Sequence, residues 1–121
     1  MTKLHIIARY QIHPGQLEEF KKVAKECLAV VKAKDTDTLQ YDSYFNADQT
    51  ICVAMETYPD SSAVLVHLGN LGDLLGKLLA ISDFSAEIYG NPSEDLQQAI
   101  TGLDVTSYTY FQGLVPAGPM V

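Results

Sequence analysis

The spacing of hydrophobic residues in the first third of the chain changes at residues 13–15. From residue 3 to 13 every second residue is apolar, which predicts a β-strand whose apolar face contains Leu4, Ile6, Ala8, Tyr10 and Ile12. The sequence His13-Pro14-Gly15 ends this pattern. From residue 16 to 33 the spacing becomes helical, with an apolar stripe of Leu17, Phe20, Ala24, Cys27, Leu28 and Val31. We therefore expect a strand followed by an amphipathic helix.

The middle of the chain predicts a β-hairpin that leads into a helical region. Residues 35–37 form a loop, and the segments 38–46 and 50–58 are strands joined by a short turn at residues 46–49. Pro59-Asp60-Ser61-Ser62 indicates the start of a helix with Asp60 or Ser61 as its N-cap. We expect a break near Gly69-Asn70, followed by a second apolar stripe of Leu71, Leu74, Leu75, Leu78 and Leu79.

The last third of the chain adds two strands and a short helix. The strands are predicted over residues 83–89 and 104–114. Between them, Asn91-Pro92-Ser93-Glu94 resembles a capping box with proline at the first helical position, and Gly102 follows the end of this helix. The order β-α-β-β-α-β, helix, strand predicts an α+β, ferredoxin-like domain over residues 1–114, with an irregular tail over 115–121.

The strand faces turned away from the predicted helices are not convincingly polar. We assign to them Ile7, Tyr44, Cys52, Ala54, Tyr58, Tyr89, Tyr108 and Tyr110. A ferredoxin-like sheet normally exposes this face to water, so its strands should alternate between apolar and polar residues. We therefore expect a second copy of the sheet to cover this face in a homodimer, with the fifth strand reaching across to the partner.

Composition and charge exclude several kinds of partner. The formal net charge of −7, with only 8 Lys and Arg residues, argues against nucleic acid and against an anionic membrane surface. No signal peptide and no apolar run long enough to span a bilayer is visible, so the cytoplasm is the expected location. Cys27 and Cys52 lack metal-type spacing, and we expect buried free thiols, although a disulfide between them is left open.

One segment of twelve residues resembles a known family. Residues 56–67, Glu-Thr-Tyr-Pro-Asp-Ser-Ser-Ala-Val-Leu-Val-His, have the form E-x-Y-x-D-x-x-A-x-x-x-H, which is similar to the strand-to-helix motif of the antibiotic-biosynthesis-monooxygenase family. Leu39-Gln40-Tyr41-Asp42 and Asn46-Ala47-Asp48 resemble the family's second strand and following turn. The resemblance covers roughly residues 3–114, and its central motif is moderately specific.

The resemblance implies a ferredoxin-like monomer whose sheets pack face to face as a dimeric α/β barrel. It also implies that the protein uses no metal, flavin or haem, because some members oxidise quinols, anthrones or related aromatic compounds with O2 alone. Many other members have no proven activity. The chain departs from the family at residues 68–72, where an aromatic or histidine cluster is common, and it has no tryptophan, which argues against haem degradation.

Six residues are candidates for a site. His67 is the candidate general base or hydrogen-bond donor, and Glu56 can orient His67 or Arg9, or bind substrate. Tyr10, Tyr41, Asn46 and Tyr89 are the candidate substrate-binding residues. Each candidate also has a structural alternative: a hydrogen-bonded histidine, a structural ion pair, tyrosines of a dimer core, and turn chemistry for Asn46.

The sequence thus predicts a cofactor-independent monooxygenase-like protein that oxidises a small aromatic or quinol-type compound with O2. The alternative is a non-catalytic dimeric module of the same fold that binds a small ligand or another protein. A cavity containing both His67 and a tyrosine hydroxyl favours the first function, whereas a solid core with His67 capped by a backbone group favours the second.

Overall fold

The computed structural model describes residues 3–114 and has the predicted order of elements. The strands are β1 (Leu4–Ile12), β2 (Gln40–Phe45), β3 (Ile51–Tyr58), β4 (Ser82–Tyr89) and β5 (Val105–Tyr108). The helices are α1 (Leu17–Lys34), α2 (Ser61–Leu71), α3 (Asp73–Ala80) and α4 (Glu94–Ala99). The strands form one sheet in the order β2-β3-β1-β4-β5, in which only the β4–β5 pairing is parallel. The ferredoxin-like α+β prediction is confirmed.

The helices cover one face of the sheet, and the core lies between the two layers. Its largest fully buried side chains are Leu4, Phe20, Val23, Cys27, Tyr58 and Leu96. The alternation predicted for β1 is confirmed, because every second residue from Leu4 to Ile12 is buried. Both cysteines are free and buried, as expected.

The assignment of three β3 residues to the uncovered face is wrong. Cys52, Ala54 and Tyr58 are buried beneath the helices, opposite residues of the covered face of β1 in the antiparallel register. Both faces of β3 are largely apolar, so the strand has no alternation of polar and apolar residues that would show which face is buried. The side chains that do lie on the uncovered face include Ile7, Met55 and the stacked pair Tyr89 and Tyr108, whose ring centres are 5.2 Å apart.

The ends of the elements follow local chemistry. Asp60 is the N-cap of α2, as predicted, and its carboxylate accepts a hydrogen bond from the Ala63 amide at 2.9 Å. The break in the helical region falls at Gly72 instead of Gly69-Asn70, because Gly72 adopts a φ of 51° between α2 and α3.

Two predictions about the last third of the chain need correction. Ser93, and not a residue before the proline, is the N-cap of α4, so Pro92 lies outside the helix and not at its first position. The fifth strand is limited to Val105–Tyr108, since its partner strand ends at Tyr89. The predicted tail over residues 115–121 lies outside the described residues.

The helices of the described residues differ from a membrane span either in length and composition or in straightness. No single helix there is long and apolar enough to cross a membrane. The pair α2 and α3 reaches the required length and composition together, but the two helices are bent by 77° where they meet.

Candidate active site

The end of β3 and the following helix bring Glu56 and His67 together. Glu56 and Tyr58 alternate with Thr57 along β3, so both side chains point beneath the helices. The N-cap at Asp60 fixes the start of α2, and Ala63 and His67 then lie one turn apart on its buried face. The His67 side chain is 3% exposed, so this imidazole lies inside the protein, as the motif predicted.

A third segment supplies the partner of His67, and sequence analysis did not identify it. Asp35 follows the last residue of α1, and its side chain is only 2% exposed. Its carboxylate accepts hydrogen bonds from His67 Nδ1 at 2.8 Å, from the Thr38 hydroxyl at 2.7 Å and from the Asn70 amide at 2.9 Å. Burial alone would raise the pKa of Asp35, but these three hydrogen bonds hold it below its usual value.

The ionised state of Asp35 determines which nitrogen of His67 carries the proton. A carboxylate only accepts hydrogen bonds, so the 2.8 Å contact requires a proton on Nδ1 of His67. In the neutral imidazole, Nε2 then has a free lone pair. In this tautomer the nitrogen that can accept a proton, Nε2, is the one that does not contact Asp35.

Glu56 is the acidic group nearest to this reactive nitrogen. Its Oε1 lies 3.8 Å from His67 Nε2 and accepts a 2.6 Å hydrogen bond from the Tyr58 hydroxyl. Burial raises the pKa of Glu56, and the charge that His67 carries when protonated, together with the hydrogen bond from Tyr58, offsets this only in part. A carboxyl group with a raised pKa thus lies beside the His67 imidazole.

These groups form the polar end of a partly enclosed cavity of about 60 Å³. Tyr10, Tyr41, Glu56 and His67 line this end, and the remaining lining is apolar, including Leu71, Leu75, Phe84, Ile88, Leu96, Ile100 and Val105. Burial, reinforced by the nearby Glu56, raises the pKa values of Tyr10 and Tyr41, so both hydroxyls stay protonated. The site thus combines a base, an acid and two hydroxyl groups with a largely apolar cavity.

The structure brings together four of the six predicted site residues. Asn46 lies in the β2–β3 turn, where its side chain bonds to Thr50 and to the Ile51 amide, and Tyr89 lies on the uncovered face of the sheet. We therefore retain neither of them as a site residue. Arg9 is no partner of Glu56 either, because it lies on the opposite sheet face, 3.9 Å from Glu87.

The sequence carries one signal that points to an acceptor such as Asp35. His67 and Asn70 are three residues apart on α2 and share one helix face, so two hydrogen-bond donors point the same way. The buried imidazole of His67 requires an acceptor, and the partly buried Asn70 amide points towards the same one. The identity of the acceptor could not be predicted from the sequence, because Asp35 is 32 residues from His67 and meets it only in the folded chain.

The remaining reactive side chains in the described part of the chain suggest no second centre. Residues 3–114 contain no group of three His, Cys, Asp or Glu side chains that could hold a metal ion. Cys27 is buried, and burial raises the pKa of its thiol to about 11, which disfavours the reactive thiolate.

The sheet order and the buried acid–base cluster define a ferredoxin-like α+β protein with an internal site, and the chain has the fold of the antibiotic biosynthesis monooxygenases. MupZ from Pseudomonas fluorescens superimposes with a TM-score of 0.80 and 18% identity over 100% of both chains. SnoaB, a cofactor-independent oxygenase from Streptomyces nogalater, gives a TM-score of 0.65 and 18% identity over 77% of this chain and 96% of its own.

An antibiotic biosynthesis monooxygenase gives a TM-score of 0.65 and 19% identity over 74% of this chain and 99% of its own. No protein-family model and no curated relative matches the sequence. At these identities the likeness shows the fold alone, and the chemistry depends on the residues of this chain.

Proposed function

We propose that the protein is a cofactor-independent monooxygenase that oxidises a small aromatic or quinol-type compound with O2. The observation that carries this proposal is the buried Asp35–His67 pair, whose free Nε2 lies at the polar end of an apolar cavity. Such an arrangement can remove a weakly acidic proton from a substrate and hold the resulting anion away from water. An electron-rich carbanion or phenolate is the species that reacts with O2 without a metal.

The reaction balances for a substrate with an activated CH2 group. His67 Nε2 takes one proton, the carbanion combines with O2 to form a carbon-bound peroxide anion, and this anion takes the proton back from His67 as a hydroperoxide. His67 Nε2 then removes the second C–H proton as the O–O bond breaks, and the departing hydroxide takes a proton to leave as water, so that CH2 + O2 gives C=O + H2O. The hydroxyls of Tyr10 and Tyr41 stay protonated and can stabilise the developing oxyanion, while Glu56 can supply the proton for the departing water.

Two features support catalysis over the alternative of a non-catalytic binding module. His67 is oriented by a carboxylate side chain and not by a backbone group, and the cavity contains both His67 and tyrosine hydroxyls. The fold is also that of SnoaB, a cofactor-independent oxygenase. A structural histidine requires neither an open Nε2 nor a second buried carboxyl group beside it.

Anthrone is a suitable probe because its single CH2 group becomes the carbonyl of anthraquinone. The wild-type protein should accelerate O2 uptake and anthraquinone formation, and His67→Gln should reduce this acceleration by about 10²- to 10⁴-fold, as expected for loss of a general base. His13→Gln is the matched control, since His13 also pairs with an aspartate, Asp83, at 3.0 Å, but on the surface. A His67→Gln variant that is folded and fully active would refute the catalytic role.

A redox-neutral reaction is a second candidate function, favoured by the 3.8 Å approach of Glu56 to His67. An acid and a base on one substrate can catalyse an isomerisation or a ring closure without O2. Deuterium incorporation into anthrone, measured in D2O without oxygen, separates the candidates. Deuterium exchange without oxygen consumption in air supports proton-transfer chemistry alone. The absence of both exchange and oxygen consumption supports a binding module.

We also propose that the protein acts as a homodimer. Met55, Tyr89 and Tyr108 expose between 37% and 44% of their surface on the uncovered face of the sheet, and Tyr44 exposes 53%. Exposed apolar groups on one sheet face are typical of interfaces between protein subunits. Light scattering at micromolar concentration should give twice the chain mass of 13.3 kDa. A monomer that persists at that concentration would contradict the proposal.

A further inference from the structure

An open groove lies between α1 and β2, directly outside the cavity that contains His67. The groove has a volume of about 540 Å³, against about 60 Å³ for the cavity. Within the described part of the chain, Tyr41 is the single residue that lines both spaces. The Tyr41 side chain therefore separates the groove from the buried acid–base site.

The groove carries two lysines on neighbouring turns of α1. Lys21 donates a hydrogen bond to Gln49 at 3.1 Å, and its ammonium lies 5.7 Å from the centre of the Phe45 ring. Lys25 lines the groove one turn later. Neither lysine forms a salt bridge among residues 3–114, and the one carboxylate in the groove, Asp42, accepts a hydrogen bond from Gln40 at 3.0 Å.

This distribution of charge is unusual in its context. The protein has a formal net charge of −7, yet the groove contains two cations and one anion. The Phe45 ring and the aliphatic parts of the lysines add apolar surface beside the ammonium groups. Such a surface is complementary to a flat apolar molecule that carries a carboxylate.

We propose that the groove binds the carboxylate end of the substrate through Lys21 and Lys25, while the apolar end passes Tyr41 into the cavity. This inference rests on the proposed function, because it assigns groove and cavity to one ligand. The Tyr41 ring must move, since an apolar cavity known to accept benzene measures about 150 Å³, well above the volume of this one. The substrate class is then an aromatic or quinol-type carboxylic acid.

Two fluorescent naphthols differing only in a carboxylate test the proposal: 6-hydroxy-2-naphthoate and 2-naphthol. Both are titrated into the full chain, into the double variant Lys21→Gln/Lys25→Gln and into Lys22→Gln. Lys22 is the matched control, because it is exposed on the same helix and does not line the groove. The double variant should bind the naphthoate about 3- to 10-fold more weakly, with unchanged affinity for 2-naphthol. Raising the salt concentration to about 0.5 M should weaken naphthoate binding to the wild type.

Three results would overturn the proposal: no measurable naphthoate binding to the wild type, equal affinity for both probes, or an equal loss in Lys22→Gln. The anthrone assays keep its failure distinct from that of the proposed function. Lysine-dependent naphthoate binding without any reaction of anthrone would support the groove and refute the catalytic proposal. Proton exchange on anthrone together with lysine-independent naphthoate binding would refute the groove alone.

Discussion

Replacing Asp35 with asparagine tests the buried pair on which the proposed base depends. The substitution keeps the shape of the side chain but removes its charge and one of its two acceptor oxygens. Three donors converge on this carboxylate, from Thr38, His67 and Asn70, at distances between 2.7 and 2.9 Å. In the variant, at least one of the three donors faces the asparagine NH2 group unless that donor reorients. All three hydrogen bonds also lose their charge-assisted character.

The size of the effect follows from these three bonds. A hydrogen bond to a charged group contributes about 1.5–3 kcal/mol and a neutral one about 0.5–1.5, so each bond loses about 1 kcal/mol. The free energy of unfolding should fall by about 3 kcal/mol, which lowers the Tm of a domain of this size by about 10–15 °C. Without the carboxylate, His67 also loses the partner that fixes its tautomer, and the rate of anthrone oxidation should fall by about 10²- to 10⁴-fold.

The stability difference should depend on pH in a defined direction. Hydrogen bonding lowers the pKa of Asp35 in the folded state, so its stabilisation is complete above the unfolded value of 3.8 and disappears as the pH falls through the lowered pKa. Melting curves of Asp35→Asn and wild type between about pH 3 and 7 should therefore converge in acid. Asp37→Asn, an exposed change of the same charge in the same loop, is the control and should shift the Tm little. A neutral-pH Tm for Asp35→Asn equal to that of Asp37→Asn would refute the reasoning.

Three further predictions concern a buried acid, a tight turn and metal content. Burial raises the pKa of Glu56, so the stability contributed by this group is present below pH 4.5 and is lost as the pH rises through the raised pKa. Glu56→Gln cannot ionise, so its Tm should rise relative to wild type as the pH is raised from 4.5, and a constant difference between the two melting curves would contradict this. Gly90→Ala should lower the Tm by several degrees, because Gly90 has a φ of 131° and an added Cβ would lie 2.6 Å from the Leu4 side chain and 2.8 Å from the Lys3 carbonyl. An unchanged Tm would show that the turn relaxes. Dialysis against EDTA should leave the rate of anthrone oxidation unchanged, because no metal-binding cluster exists within residues 3–114, and a loss restored by one metal would contradict it.

Periodicity was sufficient to predict the order of the elements, because strands and helices repeat their apolar residues at different intervals. The N-cap at Asp60 was equally local, since its bond to the Ala63 amide spans three residues. Which face of β3 is buried was not predictable from the sequence of the strand, because both faces are largely apolar and the register with β1 determines the buried one. The length of β5 depended on where β4 ends, which is again a property of the partner strand.

The candidate site was predictable only where its residues belong to one continuous motif. Glu56 and His67 belong to a single strand-to-helix segment, so their convergence followed from the resemblance. Asp35 comes from the end of α1, and it contacts His67 only because α1 and α2 pack side by side on the sheet. Sequence alone placed Asp35 in a loop, which is the usual position of an aspartate after a helix.

The energetics of the cluster indicate that its two carboxyl groups have different roles. Asp35 is buried, but its three hydrogen bonds favour the ionised form, so this residue contributes to stability as well as to the orientation of His67. Glu56 is buried with one hydrogen bond from Tyr58, and burial outweighs the groups that would favour its ionisation. A fold under selection for stability alone would be better served by an uncharged residue at position 56. In the proposed reaction its place beside His67 Nε2 allows it to transfer a proton to or from a ligand, a role that glutamine cannot fill.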